Sequence, residues 1–331
     1  MHHEIVKIYR SIQRRWNDPA NNEMSIAQMS WCYLLRKAAD LSTKKVLIQV
    51  PFATETADAS PGRIAVIVHC FYPDLLNEIL DYISHIPYSH RLYISTDTDE
   101  KRDIIAASLK ARGIENGEIR VALNRGRDIA PKYITFRDIY SDCDYFLHLH
   151  SKRSAHGGEG RGDRWRKQLL SSLLGSAEMI RSLFAILKDP RVGLVFPDPF
   201  DPTIASLRWS KNYEVSLALA KRLGIQIFKE NCPEYPSGSM FWGKASIVRP
   251  ILDLNLQFDD FPPEKGQLDG ELQHALERMI VPVAHAQGLY GLRIANSQFG
   301  RRHKAIRLSS AAQLPGAITR CMINDGFEVA S

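Results

Sequence analysis

A chain of 331 residues, 44% hydrophobic and 24% charged, has the make-up of a globular protein with one large domain or two small ones. Its formal charge of +6 suits an anionic partner, but no zinc-finger, RNP or basic-zipper pattern accompanies it, so nucleic acid is not the expected one. Five scattered cysteines without CxxC spacing argue against a zinc ribbon or a disulfide framework, and no apolar run approaches the roughly 20 residues that span a bilayer.

The amino-terminal stretch also lacks the apolar core of a signal peptide, which places the protein in the cytoplasm as an expectation. Residues 5–16 and 25–41 have the spacing of amphipathic helices, separated by Asn17-Asp18-Pro19. The polar run TETADASPG at 54–62 reads as a linker. Residues 1–60 are therefore expected to form a helical extension, packed on the main domain or resting its basic, aromatic face on a membrane surface.

From residue 63 the pattern alternates as in a parallel α/β protein. RIAVIVHCF (63–71) reads as a buried strand. A helix is expected over 73–86, with Leu75, Leu76, Ile79, Leu80 and Ile83 as its apolar stripe. A second strand covers 91–97, and a second helix covers 100–113, closed by Gly113. Then come a strand at 118–124, a helix at 129–141 and a strand at 144–150. One or two helices fill 164–187, a strand covers 191–198, and a strand running into a helix covers 237–252. A last helix begins at Asp269, with Leu272, Leu276 and Met279 on its buried side; the remainder, 299–331, reads as a basic tail.

Parallel strands that lead into helices align their carboxyl ends, and ligands sit in the crevice there. The expected strand ends are polar: His69-Cys70, Thr96-Asp97, Asn124 to Arg127, His148 to Lys152, and Pro197-Asp198. Two histidines at i and i+2 on a strand point the same way. His148 and His150 therefore suit a metal such as manganese, or they contact an anion directly with Lys152 and Arg153. The alternative for His148 is a core histidine bonded to backbone. A strand-end Arg127 suits bidentate contact with phosphate, and Asp128 suits a helix cap. No G-x-S-x-G, Walker or G-x-G-x-x-G motif follows a strand, which disfavours a hydrolase, a P-loop NTPase and a dinucleotide-dependent dehydrogenase.

NRGRDIAP (124–131), FLHLHSKRS (146–154), SGSMFWG (237–243) and GQLDGEL (266–272) together resemble the rhamnan synthesis protein F family, over residues 63–295. The resemblance implies an α/β fold of GT-A-like, Rossmann-like type, with a mostly parallel sheet flanked by helices over 61–298. It implies a glycosyltransferase, a rhamnosyltransferase in particular, that moves a 6-deoxyhexose from a nucleotide-sugar donor to a lipid-linked glycan acceptor of a growing cell-surface polysaccharide. Partners would be the inner face of the cell membrane or other glycosyltransferases. On that resemblance Cys70, Asp97, Arg127, His148, His150 and Lys152 would form the donor site, with Asp97 toward the base or ribose. Trp242 and Trp165 would face the acceptor, and Asp269 would be the base of an inverting reaction, with Glu264 and Glu271 as alternatives.

The chain departs from the GT-A pattern where Asp-x-Asp would hold a metal: His148-Leu149-His150 stands there. The expectation is therefore direct recognition of the diphosphate without a required cofactor, with a divalent metal such as manganese as the alternative. A non-catalytic glycan- or nucleotide-binding subunit, or a transferase using a sugar-phosphate donor, are the other readings.

Overall fold

The computed structural model describes residues 45–54, 60–151, 153, 160–200, 207–229, 233–264, 269–299 and 304–325. The two helices expected at 5–16 and 25–41 lie outside the described residues, as do Lys152, Cys32 and Cys232.

A nine-stranded sheet organises the chain. Its strands are β1 (Val46–Val50), β2 (Ile64–His69), β3 (Arg91–Thr96), β4 (Gly117–Val121), β5 (Tyr145–His150), β6 (Val192–Pro197), β7 (Phe241–Lys244), β8 (Tyr290–Asn296) and β9 (Lys304–Ile306). The order is β4-β3-β2-β5-β7-β6-β8-β1-β9. Every pairing is parallel except those of β7, which runs against β5 and β6. Helices α1 (Leu76–Ile83), α2 (Asp99–Ala111), α3 (Arg161–Leu174), α4 (Ala177–Lys188), α5 (Tyr213–Leu223), α6 (Leu272–Ala286) and α7 (Leu314–Asn324) cover it. Among the described residues no single helix is long and apolar enough to cross a membrane.

The continuous apolar runs of β2, β5 and β6 follow from burial on both faces, as in any sheet covered by helices on two sides. One core joins Val66, Val68 and Leu147 to α1, α3, α4 and α7. The other joins Ala65, Ile67 and Phe146 to residues 129–140, α5 and α6. Side chains alternate along a strand, so His69, His148 and His150 continue the second face. The pairing sets Ile67 beside His148 and His69 beside His150.

Local signals set the helix ends, and Gly113 closes the second helix as expected. Thr98 caps α2 by accepting from Lys101 N, and Gly113 follows that helix at φ 65°. The long helical stretch at 164–187 is two helices, with Ser176 capping α4 through Met179 N. The helix expected at 129–141 is instead a π turn over Pro131–Thr135 and a 3-10 turn over Arg137–Ser141. Pro131 donates no hydrogen bond, and its carbonyl accepts from Phe136 N, which widens the turn.

Both segments set apart in the sequence contribute to the sheet. Val46–Val50, inside the expected helical extension, is β1, and it pairs β8 on one side and β9 on the other. Lys304–Ile306 and Leu314–Asn324, inside the expected basic tail, are β9 and α7. The physical reason is burial: Val46, Leu47, Ile48 and Val50 are core residues, and Leu314, Ile318, Cys321 and Met322 share a core with Val46, Ile48 and Val50.

Candidate functional site

The carboxyl ends of β2, β3 and β5 lie side by side and carry most of the expected donor residues. His69, at the end of β2, is buried and shares a hydrogen bond of 3.0 Å between its Nδ1 and Ser95 Oγ. Burial lowers its pKa to about 4. Cys70 is fully buried, its amide donating to Ser95 O at 2.7 Å and its carbonyl accepting from Thr96 Oγ1 at 2.9 Å. Burial pushes its thiol up to about 12, so Cys70 shapes the turn and is not a reactive group. Asp97, after β3, is held by Lys101 at 2.6 Å, and that ammonium lies 3.8 Å above the Phe71 ring.

The two histidines of β5 dock on one backbone segment. His148 Nδ1 donates to Ser239 O at 2.5 Å, and His150 Nε2 donates to Gly238 O at 2.8 Å. Their rings are nearly parallel, with centroids 6.4 Å apart. His148 is fully buried, and burial drives its pKa far below the ordinary value. Its Nε2 has no hydrogen-bond partner among the described residues. His148 is thus a core histidine bonded to backbone. Gly238 and Ser239 accept these bonds at positive φ, 88° and 59°, beside Trp165.

Above the histidines sits a pair that sequence reasoning missed in part. Asp128 and Lys132, one helical turn apart, are both buried, Lys132 to 1% exposure. Lys132 Nζ reaches Ser239 Oγ at 3.4 Å and lies near the Tyr133 and Phe241 rings. Burial lowers the Lys132 pKa to about 8, while Asp128 and Glu277 hold it up. Burial pushes the Asp128 carboxyl upward, but its neighbours His150, His148, Lys132 and His69 leave it well below the carboxylate range. Asp128 Oδ2 and Tyr133 Oη have no hydrogen-bond partner among the described residues. The one signal for Lys132 in the sequence was its i+4 spacing from Asp128.

The loop that carries Arg127 and Asp128 is clamped to the segment before α6. Arg125 and Pro263 form an antiparallel bridge, and Arg127, at φ 55°, places Nε 3.9 Å from Glu264 Oε2. Gly126 has φ 65°, and a Cβ there would lie 2.5 Å from Phe261 Cδ1 and 2.6 Å from Ala130 Cβ. Gly126→Ala is therefore expected to cost about 1–3 kcal/mol, read as a lower urea midpoint with an unchanged slope. A variant as stable as the parent would show that the loop shifts freely.

Two expected positions are corrected. Asp269 does not begin a helix: α6 starts at Leu272 with Glu271 as its N-cap residue, and the Asp269 side chain is 48% exposed in the preceding loop. It stands 4.0 Å from His274 Nε2. Trp242 is no acceptor platform. It is fully buried, its indole N–H donates to Leu173 O at 3.1 Å, and it packs edge-on against Phe184. Its place on β7 alternates with Phe241, so it points into the opposite core. Trp165 is half-buried and stacked on Phe200, while its neighbour Arg166 is buried in ion pairs with Glu78 and Asp163. Asp198 also leaves the crevice, because β7 separates β6 from β5 and Arg293 holds it at 3.4 Å.

A cleft of about 710 Å³ opens at the opposite end of the sheet, where Tyr145 begins β5 and Lys244 ends β7. It contains none of these residues. The crevice is the better candidate because buried, unsatisfied polar groups converge there, and such groups are costly without a partner.

Among the described residues no group of three or more histidine, cysteine, aspartate or glutamate side chains is placed to hold a metal ion. Each strand histidine spends one ring nitrogen on a backbone carbonyl, which fixes its ring and tautomer.

The model of the family described as rhamnan synthesis protein F matches residues 24–289. The chain is 33% identical over 252 residues to the uncharacterized protein WxcX of Xanthomonas campestris pv. campestris strain B100, and 32% identical to WxcX of a second strain. In each case the match covers 74% of this chain and 34% of the relative, so the chain spans about a third of the length of the curated relatives it matches. Among solved structures, it resembles the mannosyltransferase PcManGT of Pyrobaculum calidifontis, in complex with GDP-Man and Mn²⁺, at TM-score 0.38 and 12% identity. That match covers 91% of this chain and 66% of the other. The mannosyltransferase Ktr4p of S. cerevisiae matches at TM-score 0.32 and 10% identity, covering 73% and 72%.

Proposed function

The chain belongs to the rhamnan synthesis protein F family, and on that premise we propose that it is a nucleotide-sugar-dependent glycosyltransferase of polysaccharide assembly. The observation that carries this reading is the convergence at one sheet edge. Asp97 and His150 end their strands there, Arg127 and Asp128 follow β4, and the carboxylates Glu264 and Asp269 precede α6. That arrangement suits an anionic donor on one side and a hydroxyl acceptor on the other.

The sugar is a 6-deoxyhexose, rhamnose in particular, which the family's description supports. Transfer from a sugar nucleotide puts negative charge on the departing diphosphate, and a fixed cation beside it lowers the barrier. Arg127 suits that task, because its Nη2 is buried without a hydrogen-bond partner among the described residues. Lys152 and His150 belong to the same proposal. Inversion needs one carboxylate to take the acceptor proton, with Asp269 or Glu264 as the base. The acceptor is a lipid-linked glycan, which puts the enzyme in the cytoplasm beside the inner face of the membrane and other transferases.

A second reading is a non-catalytic glycan- or nucleotide-binding subunit. The histidines standing where Asp-x-Asp would be expected favour it. A transferase with a sugar-phosphate donor is the third. One assay separates the first two: nucleoside diphosphate release by the purified chain with dTDP-rhamnose, GDP-rhamnose or other sugar nucleotides and a rhamnose-ended acceptor, with and without EDTA. The expected result is release that persists in EDTA. Loss in EDTA restored by Mn²⁺ would overturn metal independence. Nucleotide binding without release from any donor would overturn the transferase reading in favour of the subunit.

A further inference from the structure

Three carboxylates lie around the start of α6, and the fold treats them differently. Glu271 is the N-cap residue, and its Oε2 accepts from Gln273 Nε2. Asp269 stands in the loop with about half of its side chain in water. Glu264 is only 22% exposed. One of its oxygens, Oε2, faces Arg127 Nε, and the other, Oε1, is buried with no hydrogen-bond partner among the described residues.

Glu264 is also the one held in place. Its neighbour Pro263 pairs with Arg125, so the carboxylate is fixed to the loop that carries Arg127. In the first turn of α6, Gln273 Oε1 and His274 Nδ1 are buried and likewise lack partners among the described residues. Gln273 is 1% exposed and His274 7%. Burying a polar atom without a partner costs on the order of 1–3 kcal/mol. Such atoms on Glu264, Gln273 and His274, before and within the first turn of α6, suit a ligand that brings hydroxyl groups.

We infer that Glu264 is the base that takes the proton from the acceptor hydroxyl, in preference to Asp269. This rests on the transferase reading above. The acceptor O–H bond breaks and its proton passes to Glu264 Oε1. The acceptor oxygen uses that electron pair to bond the anomeric carbon of the donor sugar. The bond from that carbon to the diphosphate oxygen breaks, and its pair leaves with the nucleoside diphosphate beside Arg127.

The surroundings suit a base. Burial raises the Glu264 pKa, Arg127 restrains the rise, and Glu271 and Asp128 add to it. A carboxylate drawn toward neutrality removes a proton more readily than one left in water. His274, with its pKa lowered to about 4 by burial, stays neutral at physiological pH.

The test uses the full chain with a donor and acceptor pair that the parent turns over, and it measures kcat, KM and donor binding by calorimetry. Glu264→Gln is expected to lower kcat by about 10²–10⁴-fold while the donor Kd stays within about threefold. Glu264→Asp should recover part of the rate, and the acid limb of the kcat/KM profile should vanish in the glutamine variant. Asp269→Asn should cost less than about tenfold. A Glu264→Gln chain close to the parent rate, or the full loss in Asp269→Asn, would overturn the assignment. Loss of donor binding together with turnover would instead make Glu264 a partner of Arg127, and would also overturn it. A parent chain that turns over no donor would remove the transferase reading itself, and the base with it.

Discussion

Asp128→Ala is expected to lower the unfolding free energy by about 1–3 kcal/mol at neutral pH, because it removes the nearby carboxylate that favours the charged form of the buried Lys132. Lys132 is among the largest fully buried side chains of the chain. Its remaining polar contacts, Ser239 Oγ at 3.4 Å and the distant pull of Glu277, do not replace a carboxylate. The double variant Asp128→Ala with Lys132→Met should recover most of the loss, since replacing a buried charge together with the carboxylate that supports it by apolar side chains is often as stable. The sign of the pH dependence follows from Lys132. Its folded pKa, about 8, lies below the ordinary 10.5. Between those values the unfolded chain holds more protons, so stability attributable to this group rises with pH. The deficit of Asp128→Ala should accordingly shrink at alkaline pH. Urea melts across that window check it, and a loss below about 1 kcal/mol at neutral pH would show that Asp128 is not what holds the charge.

The second large effect is acid lability. His69 and His274 each have a pKa lowered from 6.5 to about 4, by burial first of all. Asp128, His150, Asp97 and Lys101 surround His69, and Arg127, Asp269, Arg278 and Asp128 surround His274. In the unfolded chain both take up a proton near 6.5, and in the folded chain they refuse it until about 4. The unfolded state then binds more protons, so stability falls as pH drops through this window. At about 1.4 kcal/mol per unit, each histidine contributes about 3 kcal/mol of loss by the lower limit. His148, lowered in the same direction, adds to it. His69→Gln and His274→Gln should each flatten the slope of urea midpoint against pH. A midpoint that stays constant down to the lower limit would sink the idea.

Much of this architecture was legible in the residues. Strands such as Ile64–His69 and Val192–Pro197 are short runs of buried branched side chains, and α1, α2 and α4 carry a stripe or a cap. Strands β1 and β8 were not assigned. Val46–Val50 holds Gln49, and Tyr290–Asn296 holds Gly291 and Arg293, so neither shows a clean pattern. They pair across more than 200 residues of intervening chain. The site divides in the same way. Asp97, Arg127 and His150 were visible as polar residues at strand ends, and all three stand at the crevice edge. Lys132 was hidden, because a lysine in a turn reads as exposed until neighbours cover it.

What the sequence determined by itself is the local: which stretches are strands, where they end, and which polar residues those ends present. Apolar periodicity and caps act over a few residues, so they can be read without knowing the fold. What only the tertiary structure decided is which ends meet and which side chains lose their water. Trp242 became core because β7 threads antiparallel between β5 and β6, which turns its ring to the face covered by α3 and α4, against Leu173 and Phe184. Glu264 and Asp269, five positions apart, differ in exposure because Pro263 pairs with Arg125 while Asp269 stays in the loop. Burial sets the charge and partners of each group, and burial belongs to the assembled chain.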